Sequence, residues 1–85
     1  MPASVVRSEI NPSQAHEKIT VMDDYGTEAQ LYVPVSDSAN RQHHIDAMLA
    51  QQTANEAALE AYAKAHGIDL SAQKTAGLIK KEGAR

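Results

Sequence analysis

Between Pro34 and Gly67 the chain runs for 32 residues, Val35 to His66, without a Gly or a Pro. With no backbone breaker to interrupt it, a stretch of this length is helical. Ile45, Met48 and Leu49 form an apolar stripe at helical spacing, and Leu59 with Tyr62 repeats it fourteen residues further on. The seam positions between them are Gln52 and Asn55 or Glu56. A single helix passing this point buries polar groups at successive core positions, which is costly. Thr53-Ala54-Asn55-Glu56 fits a capping box instead, with Thr53 and Glu56 satisfying each other's backbone amides. The sequence therefore favours a break near Gln52, two helices over 38–66 rather than one, although Gln51-Gln52-Thr53 contains no Gly to ease a sharp turn.

The flanks read differently. Lys18-Ile19-Thr20-Val21-Met22-Asp23 and Glu28-Ala29-Gln30-Leu31-Tyr32-Val33-Pro34-Val35 are β-prone runs around Asp24-Tyr25-Gly26-Thr27, which predicts an antiparallel hairpin. Leu31, Val33 and Val35 alternate with Gln30, Tyr32 and Pro34, so the first set faces a core and the second faces solvent. Pro34 cannot donate to a ladder and places its strand at a sheet edge. Ser4–Ile10 is a further short β-prone segment, and Asn11-Pro12-Ser13-Gln14 has the capping Asn and first-position Pro of a single helical turn. After the long run, His66-Gly67-Ile68 supplies a left-handed helix stop with Ile68 packing back on the last turn. Asp69 or Ser71 then caps a short terminal helix through Leu70, Leu78 and Ile79, ending near Gly83 and weakened by Gly77.

These elements make one small α+β domain over 1–85: a β-rich part (1–35, with a hairpin and a possible third strand), a helical part (36–66) and a short basic helix or tail (67–85). With no Phe, Trp or Cys and an apolar fraction rich in Ala, the core inventory is thin and no disulfide supplements it. Self-association, most simply as a homodimer, is the expected remedy. The N-terminus lacks the apolar stretch of a signal peptide and no run approaches the ~20 apolar residues of a membrane span, so a soluble protein is expected, with the cytoplasm as default compartment. Net charge is −3, an acidic body with four bases (Lys74, Lys80, Lys81, Arg85) gathered in the last nineteen residues.

No metal, cofactor or catalytic constellation emerges. Of His16, His43, His44 and His66, the adjacent His43 and His44 have no His, Asp or Glu four residues away to form a ligand pair, and the histidines read as exposed helix residues. Asp23 and Asp24 belong to the hairpin turn, where Asp is favoured for its own backbone hydrogen bonds. There is no nucleophile elbow, phosphate loop or dinucleotide fingerprint. Enzyme activity is therefore not expected. The leading expectation is a small regulator, inhibitor or accessory factor that binds a larger protein, such as one with a basic surface. Its contacts would be an acidic helix face (Asp46, Glu56, Glu60) or an edge strand (Gln30, Tyr32). The second expectation is a DNA-binding regulator touching phosphates through Lys74, Lys80, Lys81 and Arg85. Leu31–Val35 followed by Ser36-Asp37-Ser38 and two helices resembles, over roughly residues 30–66, the strand-helix-helix order of ribbon-helix-helix repressors. That resemblance implies a dimer reading DNA with a strand ribbon, although here the exposed strand residues Gln30, Tyr32 and Pro34 include no base and the family's usual Gly between helices is missing.

Overall fold

The computed structural model describes residues 2–84; Arg85, one of the candidate phosphate contacts, lies outside the described residues. It is an α+β fold: β1 (Ser4–Asn11), β2 (His16–Met22) and β3 (Glu28–Pro34) form an antiparallel sheet in the order β1-β2-β3. A 3-10 helix (Val35–Asn40) leads into α1 (Arg41–Ala65), and α2 (Ser71–Gly83) closes the chain. Among the described residues no helix is long and apolar enough to cross a membrane.

Both turns are built from local side-chain chemistry. At the β1–β2 connection Asn11 Oδ1 accepts from the Ser13 amide (3.2 Å) and the Ser13 hydroxyl (2.7 Å), so Asn11-Pro12-Ser13-Gln14 makes a hairpin turn and not the separate helical turn expected. At the β2–β3 connection the buried Asp23 accepts both the Tyr25 and the Thr27 amide at 2.9 Å, and Gly26 takes the positive φ of 77° that the turn requires.

Register puts Ile19 opposite Leu31 and Val21 opposite Ala29. Residues directly opposite one another share a face, so these four and Val33 form the surface on which α1 lies. Ile19, Val21, Val33 and Ile45 are the buried centre, with Met48 and Leu49 packed against it. Val35 does not join them: it begins the 3-10 helix and is 50% exposed. A forked ion pair fastens the start of α1 to the same face, Arg41 Nε to Glu17 Oε1 at 2.7 Å and Nη2 to Oε2 at 3.0 Å. Ser8 also donates to Glu17. The Arg41 guanidinium, then Ser8, holds the Glu17 carboxyl below its ordinary value.

The break expected near Gln52 is absent: α1 is one helix of 25 residues, about 37 Å long at 1.5 Å per residue. Its buried positions are Ile45, Gln52, Glu56 and Ala63, a stripe that passes straight through the polar seam. Gln52 meets part of the cost by accepting from Asn55 Nδ2 at 2.8 Å. Residues 30–66 are therefore a strand, a 3-10 turn and one helix, and β3 is already bonded along one edge to β2. The ribbon-helix-helix arrangement is not formed. The stop after His66 is as read from the sequence: Gly67 has φ 65°, Ile68 N–H reaches Ala63 O at 2.8 Å and Gly67 N–H reaches Lys64 O at 3.4 Å, the paired bonds of a Schellman cap. Asp69 accepts the Ser71 amide at 2.9 Å at the head of α2.

The radius of gyration is 14.7 Å and the long axis 47 Å, against the roughly 12 Å radius that the usual size scaling gives a compact chain of this length. One helix covers one sheet face, and beyond the sheet α1 carries Glu60 to 3.9 Å from Lys74 of α2.

Candidate interaction surface

Away from α1, the opposite sheet face carries Glu9 and Asn11 from β1, His16 and Lys18 from β2, and Tyr32 and Pro34 from β3, because Glu9 pairs with Lys18 and Lys18 with Tyr32. Near the Asp23 turn this face is closed, since Thr20 and Met22 are buried. Toward the β1–β2 turn it is open. A shallow hollow of about 390 Å³ lies there, lined by Glu9, Asn11, Gln14, His16, Lys18 and Tyr32 among others. Tyr32 is 56% exposed and meets the edge of the His16 ring at 5.2 Å and 83°. A phenol ring standing on an open sheet face beside an imidazole, an ammonium and two amides provides apolar area with polar groups around it, which suits recognition of another molecule. Nothing in it pairs a nucleophile with a base. Gln30 lies on the same face of β3, next to Tyr32 in the alternation.

The acidic helix face is smaller than the sequence suggests. Asp46 is exposed, accepting from Gln42 at 2.8 Å. Glu60 is exposed and stands 3.9 Å from Lys74. Glu56 is not on that face at all: it is 2% exposed and neither carboxylate oxygen has a hydrogen-bond partner. Burial, then the negative charges of Asp24, Asp23 and Glu60, push its carboxyl above the ordinary value against the opposing pull of Lys74. The stripe that carries Ile45 onto the sheet carries Glu56, eleven residues later, toward the Asp23–Asp24 turn.

The cations of α2 are likewise committed within the chain. Lys80 Nζ donates to Gly26 O at 2.9 Å. Lys81 is buried and reaches Asp24 Oδ1 at 2.9 Å as well as the Pro2 carbonyl. Lys74 lies 5.7 Å from the Tyr25 ring centroid. Their common purpose is to dock α2 on the β2–β3 turn, where Gly77 permits contact so close that a Cβ would sit 2.3 Å from the Tyr25 carbonyl carbon. The residue that weakens the helix by propensity is the one that lets it pack.

Among the described residues, no group of three or more His, Asp or Glu could hold a metal ion. The histidines have other neighbours: His44 Nε2 lies 2.8 Å from Asp37 Oδ2, and the His66 ring packs on Tyr62 at 4.2 Å. No family model, curated protein or solved structure matches the chain.

The sequence identified Gln30 and Tyr32 as exposed but missed the hollow beside them. Glu9, His16 and Lys18 come to one face only through the pairing of β1 with β2, and the available signal was the alternation of Lys18 with Ile19 and Val21, which marks Lys18 as outward.

Proposed function

We propose that this chain is a small non-catalytic regulatory or accessory protein that acts by binding a larger protein, with the open sheet face and β3 edge, Tyr32 and Gln30 at their centre, as its contact surface. The observation that carries the reading is Tyr32: a large aromatic side chain more than half exposed on a sheet face that no helix covers near the β1–β2 turn, at the rim of the hollow. Exposed Tyr beside polar groups is characteristic of interface centres. Asp46 and Glu60 add negative charge at a distance and favour a partner with a basic surface, where their effect falls on the association rate. The same geometry lends less support to nucleic acid as the partner, because Lys81 is buried against Asp24 and Lys74 stands beside Glu60, and binding of duplex DNA requires clustered cations.

The test is affinity capture from host extract with the parent protein, with Tyr32→Ala and Gln30→Ala, and with Asp46→Lys and Glu60→Lys. A partner lost with the β3 variants and retained, with slower association, by the helix variants supports the reading. A partner insensitive to Tyr32 and Gln30 removes it. Salt-dependent binding to random duplex DNA that survives all four substitutions favours a nucleic-acid partner instead.

A further inference from the structure

β1 is an outer strand of the sheet, so along Arg7–Ile10 the edge facing away from β2 has no neighbouring strand. The other outer strand is blocked at one end. β3 ends in Pro34, which has no N–H to donate, and turns directly into the 3-10 helix. On β1 the irregularity falls between Val5 and Arg7, leaving Arg7–Asn11 regularly paired to β2. Ile10 on this segment is 67% exposed.

The sequence of this edge is complementary to itself. When two identical strands pair antiparallel about a two-fold axis perpendicular to the sheet, opposed residues must point to the same face, so the axis passes through a residue and its own copy. An axis through Arg7 or through Glu9 sets like charges face to face. An axis through Ser8 sets Arg7 against Glu9 and Glu9 against Arg7. Opposite charges placed directly across an antiparallel pair stabilise it, and like charges do the reverse. In the free chain the Arg7 guanidinium is held loosely, 3.7 Å from Glu9 and 3.6 Å from Glu28, so it can turn to a second copy.

We propose that two copies of this chain join through β1, antiparallel about Ser8, into one continuous six-stranded sheet with both α1 helices on the same side. This goes beyond the reading of the Tyr32 surface, with which it shares Glu9 at the β1 rim of the hollow, while Tyr32 and Gln30 stay on β3 away from the seam. An edge pairing this short lies at the low end of interface size, so the dimer is weak, with a dissociation constant in the range of ~10–100 µM.

Sedimentation equilibrium to about 500 µM, several times that constant, is the test. The parent chain is expected to dimerise. Arg7→Glu alone and Glu9→Arg alone each place like charges opposite one another twice by symmetry, and each is expected to weaken the dimer at least tenfold. An equimolar mixture of those two variants restores it as a heterodimer, because a strand with two acids then faces a strand with two bases. The double variant R7E/E9R restores the homodimer. Thermal unfolding of each variant checks that the fold is kept. Should either charge variant unfold, Ser8→Cys in this Cys-free chain gives an independent readout, since the paired Cα separation of ~4.5–5.5 Å suits a disulfide across the axis. A parent chain monomeric throughout overturns the proposal. So do variants that all dimerise like the parent, or a Ser8→Cys dimer that forms no intermolecular disulfide under mild oxidation. Partner capture is read separately with Tyr32→Ala and Gln30→Ala, whose residues lie on β3 at the far edge of the sheet from the β1 seam.

Discussion

Replacing Glu56 with Leu should stabilise the protein, and by more at pH 8 than at pH 4. The side chain is 2% exposed with both oxygens unpartnered. A buried polar group without a hydrogen bond costs roughly 1–3 kcal/mol, and an apolar replacement of similar shape removes that cost. For a domain of this size each kcal/mol moves Tm by about 4–8 °C, so a rise of at least about 5 °C is expected at pH 8. The pH dependence follows from the direction of the shift. The unfolded carboxyl titrates at its ordinary value of 4.5, while burial and the neighbouring Asp24, Asp23 and Glu60 charges raise the folded one. Between the two values the folded chain holds a proton that the unfolded chain has released, so stability from this group is full below 4.5 and is lost as pH rises through the folded pKa. The lowered carboxyls, Glu17, Asp37 and Asp69, act in the opposite sense but are common to both proteins and cancel in the difference. Calorimetric Tm of parent and Glu56→Leu from pH 4 to 8 should diverge with pH. A constant difference, or a variant less stable at pH 8, would mean that Glu56 is charged and held by a partner, and the reasoning would be wrong.

Val33→Asp places a carboxylate in the centre of the Ile19, Val21 and Ile45 cluster and should cost about 3 kcal/mol or more by urea unfolding; unchanged stability would put that strand face in solvent. Gly77→Ala should destabilise by at least about 2 kcal/mol despite a gain of up to ~1 kcal/mol in helix propensity, because its Cβ meets Asp24 O at 2.4 Å. Gly83→Ala, with open space around it, is the matched control and should be neutral or slightly stabilising. Glu17→Gln should flatten the loss of stability on acidification: the folded carboxyl, lowered by Arg41, contributes stability present above 4.5 and lost as pH falls through its folded value. Acid titration followed by circular dichroism compares the two proteins.

The hairpin, the Schellman stop and the Ile45/Met48/Leu49 stripe were legible because each is fixed by residues close in sequence: Asp23 with Gly26, His66 with Gly67, an apolar spacing of three and four. Val35 was misread because period-2 alternation continues one residue past Pro34, where the backbone has already turned into the 3-10 helix. The continuity of α1 was misread for a different reason. In the sequence the cost of burying Gln52 and Glu56 favours a break, yet Asn55 satisfies Gln52 from the same helix, and a carboxyl shifted toward its neutral form is far cheaper to bury than a charged one. Breaking the helix would instead expose backbone groups that Gln51-Gln52-Thr53 cannot cap by a left-handed residue.

The same reasoning explains why the contact surface was only half visible. Net charge over the last nineteen residues marks a basic tail, but it does not reveal that α2 returns to the hairpin turn, where Gly77 admits the Tyr25 backbone and Lys80 and Lys81 find Gly26 O and Asp24. Those contacts are separated by more than fifty residues and have no periodic signature. Once they form, cations that look free in the sequence become fasteners, and an acid that looks like surface becomes interior. On the sheet, Lys18, Tyr32 and Gln30 stand on one face and Arg7 and Glu9 mark the β1 edge. Charged residues on that edge guard against indiscriminate strand pairing, and their order, base then acid around Ser8, leaves a single register in which the guard becomes an attraction.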